Sequence, residues 1–422
     1  MPCVEPCPQA WQAASVRIEL INTGSELLLG SVLNTHQQWI AQQLAVAGYE
    51  LAHQQTVPDT GAAIQAAVRD AIARSELVLV TGGLGPTNDD LTRQRIAELL
   101  EVPLGEHAET RARITALFKK IKRPMPERVL VQAQVPAGAV VFKNRHGTAP
   151  GLAMQTPKGW LILLPGPPRE LRPMFTDSIA PLLAEKMPPE NPIAVCTLKT
   201  TGLGESLVEK RIAPALAELD GLEIGYCARV GEVDVRLSTR GDAALLDQAE
   251  AAVRGKIGEF IYGQGDDSLE EVVVHELTAR RQTLAVAESC TGGLLAHRIT
   301  NVPGASAVFL AGHCTYSNAA KQNTLGVKNE TLESNGAVSE AVAREMAEGA
   351  RAKHGADYAL ATTGIAGPSG GTEDKPVGTV FIALAGLGGT EVINPRNSFD
   401  RETFKFATAQ QALNLLRRGL AK

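Results

Sequence analysis

Long hydrophobic runs, paired cysteines and an excess of positive charge are all missing from this 422-residue chain, and each absence excludes a class of protein. No apolar stretch approaches the ~18–20 residues that a bilayer-spanning helix requires, so no membrane role is expected. The cysteines (Cys3, Cys7, Cys196, Cys227, Cys290 and Cys314) are scattered without a Cys-x-x-Cys pair. That pattern offers neither a disulfide framework nor a zinc site, and a cytoplasmic location is the expectation. A formal net charge of −5 and a pI near 6.0 argue against extensive phosphate-backbone contact, and no aromatic-basic groove is visible, so no direct nucleic-acid binding is expected. The dense basic run Lys119-Lys120-Ile121-Lys122-Arg123 is short and reads as a solvated helix end. Residues 1–15 carry three prolines and two cysteines but no basic start or apolar centre. They read as a flexible extension rather than an export signal.

What is present is an ordinary globular composition, 44% hydrophobic and 21% charged, in a chain long enough for two or three domains. Over residues 16–172 strand and helix signals alternate: strands at 16–22, 51–57, 77–80 and 160–164, helices at 35–47 and 62–74. Strands separated by helices predict a parallel sheet wrapped by helices, with ligands beyond the strands' carboxyl ends. This domain is expected to span 16–185, closing at a cluster of three prolines, Pro188, Pro189 and Pro192. Residues 193–265 read as a small α+β connecting module, with strands at 193–198, 233–237 and 260–262 and helices at 206–219 and 243–257. A second α/β domain is expected over 266–422, opening with a charged helix at 268–281.

Three polar elements of that second domain carry chemistry. Ala287-Glu288-Ser289-Cys290-Thr291-Gly292-Gly293 follows an apolar strand and opens a helix, placing a hydroxyl beside unpaired amides and a helix dipole. A strand expected at 312–318 then runs into a helix carrying Lys321, five residues after Tyr316. Lysine can deprotonate serine if partial burial lowers its pKa, and tyrosine could relay the proton or orient the amine. Ser317 and Asn318 have the competing role of helix caps. The third element, Thr363-Gly364-Ile365-Ala366-Gly367-Pro368-Ser369-Gly370-Gly371, leaves backbone amides open to a phosphate or carboxylate. Cys290 competes with Ser289 as nucleophile; position favours Ser289.

These three elements together resemble the C-terminal domain of the CinA family, whose members act as nicotinamide mononucleotide amidohydrolases. The likeness covers about residues 265–420. It implies that Ser289 is the nucleophile, Lys321 its base and Tyr316 an assistant. It also implies that Thr363 and the loop after it (Gly364, Ile365, Ala366, Gly367) contact the substrate, without a cofactor. Amides near Thr291 and Gly292 would face the oxyanion. Arg401, beside Asp400, is a candidate for the substrate phosphate; a salt-bridged surface arginine is an equal reading.

On the first domain, Gly24-Ser25-Glu26 with Asn34 follows the first strand, and Gly82-Gly83-Leu84-Gly85-Pro86-Thr87-Asn88-Asp89-Asp90 follows the third. Such glycines allow close backbone approach to an anion, and carboxylates supply hard oxygen ligands for a divalent cation. Asp59 and Asp90 are the expected pair, with Glu26 and Asp89 as alternates; a turn or cap role competes for each. This segment, together with residues 144–151 and 164–171, resembles the molybdopterin-binding fold and more closely the N-terminal half of CinA proteins. The resemblance implies a metal-dependent ADP-ribose pyrophosphatase, and a homodimer. Gly24, Asn34, Gly82, Gly83, Gly85 and Thr87 would then touch the nucleotide. A pterin- or nucleotide-binding module without catalysis, and an interaction protein connected with DNA uptake, remain alternatives.

Overall fold

In a computed structural model, which describes residues 16–421, the chain forms two compact units, both α/β. One is the described part of Met1–Val195 with Thr239–Ala243; the other is Cys196–Ser238 with the described part of Ala244–Lys422. The expected N-terminal extension lies outside the described residues.

The first unit contains β1 (Ile18–Thr23), β2 (Leu51–Val57), β3 (Leu77–Thr81), the short pair β4 (Leu104–Glu106) and β5 (Gln134–Pro136), then β6 (Val140–Phe142), β7 (Gly151–Gln155) and β8 (Trp160–Leu164). Its main sheet runs β2-β1-β3-β8-β7-β6. The first four strands are parallel, as the sequence predicts, but β7 and β6 join antiparallel, so the sheet is mixed. Side chains alternate across β1. Ile18 and Leu20 pack with Ile40 and Leu44 on one face, Ile21 with Ile64 and Val68 on the other. Each such buried aliphatic contributes ~1.5–3 kcal/mol before entropy is set against it. Register aligns Asn22 with Thr56 and Thr81, and Thr81 with Leu164, so the glycine-rich loops leave at one edge.

The second unit opens within β9 (Ile193–Thr201) and continues with β10 (Glu223–Arg229), β11 (Glu232–Arg240, its last two residues grouping with the first unit) and β12 (Ile261–Gln264), ordered β10-β11-β9-β12. Helices Glu205–Leu216 and Ala243–Ile257 cover one face through Val208, Ile212, Val253 and Ile257, giving a β-α-β-β-α-β module. The remaining sheet, order β14-β13-β15-β16-β17, uses β13 (Leu284–Glu288), β14 (Phe309–Cys314), β15 (Tyr358–Gly364), β16 (Val380–Gly386) and β17 (Gly389–Ile393). Leu284 and Val286 face one core with the final helix, Arg401–Leu420, while Ala285 and Ala287 face helix Glu340–His354. Alanines line both sides of that second contact, which lets helix and sheet approach closely.

Most of the connecting module falls in the same compact unit as the C-terminal domain. Gln410, fully buried, donates from Nε2 to Glu232 Oε1 (2.7 Å), and Tyr262 Oη donates to the same oxygen (2.7 Å). Arg298 donates to Gln410 Oε1 (2.6 Å) and Glu270 Oε2 (2.7 Å), completing a polar seam between module and C-terminal domain.

Candidate active site

β13 lies in parallel between β14 and β15, with Glu288 opposite both Cys314 and Thr362. The segments after these strands therefore emerge side by side. The Ser289 amide donates to Thr362 O (2.9 Å) and the Thr315 amide to Glu288 O (2.8 Å), fixing the backbone on both sides of the turn. Ser317 caps helix Asn318–Leu325 by accepting from the Ala320 amide (3.1 Å), the role its junction position offered. The cap sets the helix phase so that Lys321, one turn in, points inward.

Lys321 is 1% exposed, and its Nζ lies 3.1 Å from Ser289 Oγ. It donates to the carbonyls of Thr315 (2.9 Å) and Tyr316 (3.2 Å). Among the described residues no carboxylate pairs with it, and burial holds its pKa below the 10.5 of a free lysine. Protonated, the amine donates to Ser289 Oγ as well; deprotonated, its two N–H bonds go to the two carbonyls and its lone pair faces the Ser289 hydroxyl. Cys290 is buried, and desolvation pushes its thiol up to about 12, so it is not a thiolate near neutral pH. Geometry and protonation state both favour Ser289.

The structure departs from four expectations. Tyr316 is 59% exposed, and its hydroxyl accepts from Arg401 Nη2 (2.8 Å); only its backbone carbonyl touches Lys321. Its phenol is therefore not a relay to the amine. Second, the helix start is not open to an anion. Glu288, 1% exposed, accepts from the amides of Gly293 (3.0 Å), Leu295 (3.0 Å) and Ala296 (2.8 Å). The protein's own carboxylate takes the place expected for an oxyanion, because a buried acid at a helix start is stabilised by the dipole and charge-assisted hydrogen bonds. Third, the Gly292 amide is spent on Ser289 O (3.2 Å) and the Thr291 hydroxyl on Thr362 Oγ1 (2.8 Å). Among the described contacts, the turn amides without a backbone or carboxylate acceptor are those of Cys290 and Thr291. Fourth, the Thr363 hydroxyl donates to Ala337 O (2.7 Å) and the Ile365 amide to Thr379 O (2.8 Å), so neither is a free donor. Gly364 ends β15 opposite Val380, and Ala366 is buried. Gly367 contributes a carbonyl that accepts from Arg401 Nη1 (3.0 Å). Arg401 has no ion pair among the described residues, so the surface salt-bridge reading does not hold.

At the first unit's edge, local bonding takes up most of the expected ligands. Asn34 caps helix Thr35–Val46 through the amides of His36 (3.2 Å) and Gln37 (3.3 Å). Asp59 Oδ2 accepts from the Ser25 amide (2.7 Å), and Asp90 Oδ2 from the Thr87 amide (2.8 Å) and hydroxyl (2.5 Å). Asp89 is exposed, and Glu26 is exposed beside Gly24. Gly82, at φ +99°, passes so near Thr23 that a Cβ would lie 2.6 Å from its Oγ1; Gly83 and Gly85 continue the loop beside it. Arg93, which the sequence reading passed over, is buried beneath this loop, donates to Leu84 O (3.2 Å) and is lowered to about 10 by burial.

Comparison with known proteins fits this arrangement. Residues 266–420 match the CinA C-terminal domain, residues 19–185 the probable molybdopterin binding domain, and residues 196–263 the damage-inducible protein CinA KH domain. A CinA-like protein of Akkermansia muciniphila is 45% identical over 94% of this chain and 96% of its own length. A putative competence-damage inducible protein of Caldicellulosiruptor saccharolyticus is 44% identical over 95% and 98%. The chain belongs to the CinA family. Among solved structures, the competence/damage inducible protein CihA of Agrobacterium tumefaciens is 40% identical, covering 36% of this chain and 94% of that one, with a TM-score of 0.36.

For a CinA-family chain the sequence resemblance implies a divalent cation in the first unit, and the residues can be tested for fit. Among the described residues no group of three or more His, Cys, Asp or Glu side chains is placed to hold a metal ion. Glu26, Asp59, Asp89 and Asp90 therefore do not form a self-sufficient cage; two of them already serve backbone amides. No helix among the described residues is long and apolar enough to cross a membrane.

Proposed function

We propose that the C-terminal domain hydrolyses the carboxamide of nicotinamide mononucleotide, releasing ammonia and nicotinic acid mononucleotide. The observation that carries this is the 3.1 Å approach of a buried, carbonyl-held Lys321 amine to Ser289 Oγ. Neutral Lys321 takes the hydroxyl proton as Oγ attacks the carboxamide carbon. The resulting oxyanion is met by the Cys290 and Thr291 amides, the donors left in the turn. Collapse returns the proton from Lys321 to the leaving nitrogen and expels ammonia. Water, deprotonated by the same amine, then attacks the acyl carbon, and Ser289 leaves as the hydroxyl. Glu288 positions this machinery without touching substrate, because its three amide bonds hold the turn against the helix. The test is ammonia release from nicotinamide mononucleotide by the wild type and by Ser289→Ala.

The first unit serves, on this reading, as a nucleotide-diphosphate site, and its loops and edge suit ADP-ribose. That its carboxylates are committed to loop amides favours binding over a preassembled metal-dependent pyrophosphatase. Incubation with ADP-ribose, with and without a divalent cation, decides between the two: cation-dependent AMP release would restore the catalytic reading.

A further inference from the structure

We propose that His313 and His354 form a proton-operated clasp on the segment that carries Lys321, closed while one facing ring nitrogen keeps its lone pair and released when both rings are protonated. This rests on the amidase reading and adds a control on its base from outside the reacting groups. His313 stands on β14, the edge strand of its sheet, paired on one side alone. His354 ends helix Glu340–His354, which is fixed to the sheet through Val342, Ala343, Met346, Ala347 and Ala350. The two Nε2 atoms lie 2.6 Å apart, while the ring centroids are 4.9 Å apart and the planes 26° from parallel. The rings therefore meet head to head, nitrogen to nitrogen, rather than face to face. The preceding residue, Lys353, donates from Nζ to Thr324 O (2.9 Å), near the end of the helix that carries Lys321. Two consecutive residues of one anchored helix thus hold residues 313 and 324. Between these lie Lys321 and the carbonyls of Thr315 and Tyr316 that hold its amine.

A nitrogen-to-nitrogen hydrogen bond needs one N–H and one lone pair. Two neutral rings supply both, and so does a pair carrying one extra proton. Two imidazolium rings instead face N–H to N–H and repel. The negative end of the helix dipole favours the donor role for His354, leaving His313 Nε2 as the acceptor. Burial first, then the positive charges of His354 and Lys353, hold His313 below the 6.5 of a free histidine. Among the described residues no carboxylate pairs with either ring to offset them. Cys314 points to the other face of β14, and Ala287 is the β13 residue opposite His313. The Asp357 carboxylate is engaged by the Thr283 amide (2.8 Å) and hydroxyl (2.9 Å). Folded His313 therefore takes its proton at a lower pH than the unfolded chain does. The clasp's stability is fully present above 6.5 and is lost progressively as pH falls from there to the lowered value.

The experiment measures kcat and KM for ammonia release across pH in the wild type, His354→Ala and His354→Gln. A Gln amide can donate to the His313 lone pair or accept from its imidazolium, so His354→Gln should keep the clasp closed at every pH. Matched at about pH 8, the wild-type kcat should fall roughly five-fold below that of His354→Gln by about pH 5, with KM alike. His354→Ala should lose about as much at both ends of the range, again in kcat. Superimposable profiles for wild type and His354→Gln would overturn the proposal. A second measurement needs no substrate: a double-mutant cycle of unfolding stability over His313→Phe and His354→Ala. Coupling should be favourable at about pH 8 and vanish or reverse at about pH 5; coupling that ignores pH refutes the clasp. Should the wild type release no ammonia at any pH, the amidase reading fails by itself, and the cycle still decides the clasp.

Discussion

The two sheets present the same kind of edge and put it to different use. In each, parallel strands end together and glycine-rich loops follow, beginning near Gly82 in the first unit and near Ser289 in the second. At the first edge, acidic and amide side chains satisfy their own loops: Asn34 caps a helix, Asp59 holds the Ser25 amide, Asp90 holds Thr87. At the second edge, a different carboxylate, Glu288, assumes that structural duty from beneath, and the hydroxyl and amine above it are left for chemistry. A glycine-rich loop with polar residues is thus not by itself a catalytic site. What separates the two is a buried lysine amine, unpaired with any carboxylate among the described residues, 3.1 Å from a serine hydroxyl.

The largest expected effect falls on that pair. Ser289→Ala and Lys321→Met should each lower ammonia release at least ~10³-fold, with the double variant little worse than either, because the two act as a unit. Cys290→Ala should retain most activity, its thiol being protonated and buried; if Cys290→Ala alone silences the enzyme, the nucleophile is misassigned. The pH dependence follows from Lys321. Burial lowers its pKa, and the base is the neutral form, so kcat/KM should climb with pH through that lowered value and level off before 10.5. Lys321→Arg, a permanent cation, should show no such climb.

An intermediate effect belongs to Glu288. Glu288→Gln keeps the volume but removes the charge and one of the acceptor oxygens that serve three amides. Stability of the second unit, read by denaturant unfolding, should fall by about 2–4 kcal/mol. At the first edge the smallest change is expected: Asp90→Ala should cost about 1 kcal/mol, the worth of a local cap, and leave ammonia release unaffected. A fall in ammonia release with Asp90→Ala would break the contrast between the edges.

The sequence disclosed the parts of this picture whose signals are local or motif-borne. Strand signals read at 51–57 and 160–164 coincide with β2 and β8, and the junction around Ser317 announced the helix that carries Lys321. Short or exposed strands were missed. β6 has three residues, β10 alternates poorly, and β14 lies at Phe309–Cys314 rather than 312–318 because Gly312 sits inside an edge strand. The pairing of Ser289 with Lys321 was legible through three ordered motifs. The role of Glu288 was not, since a Glu at a strand end gives no hint that its carboxylate turns back under the next helix.

The most direct measurement is the pH profile of ammonia release from nicotinamide mononucleotide for wild type, Ser289→Ala and Lys321→Arg. A wild-type rate rising with pH, no release from Ser289→Ala, and a flat, near-zero profile for Lys321→Arg is the predicted result. Full turnover by Ser289→Ala, or an unaltered rising profile in Lys321→Arg, would contradict it.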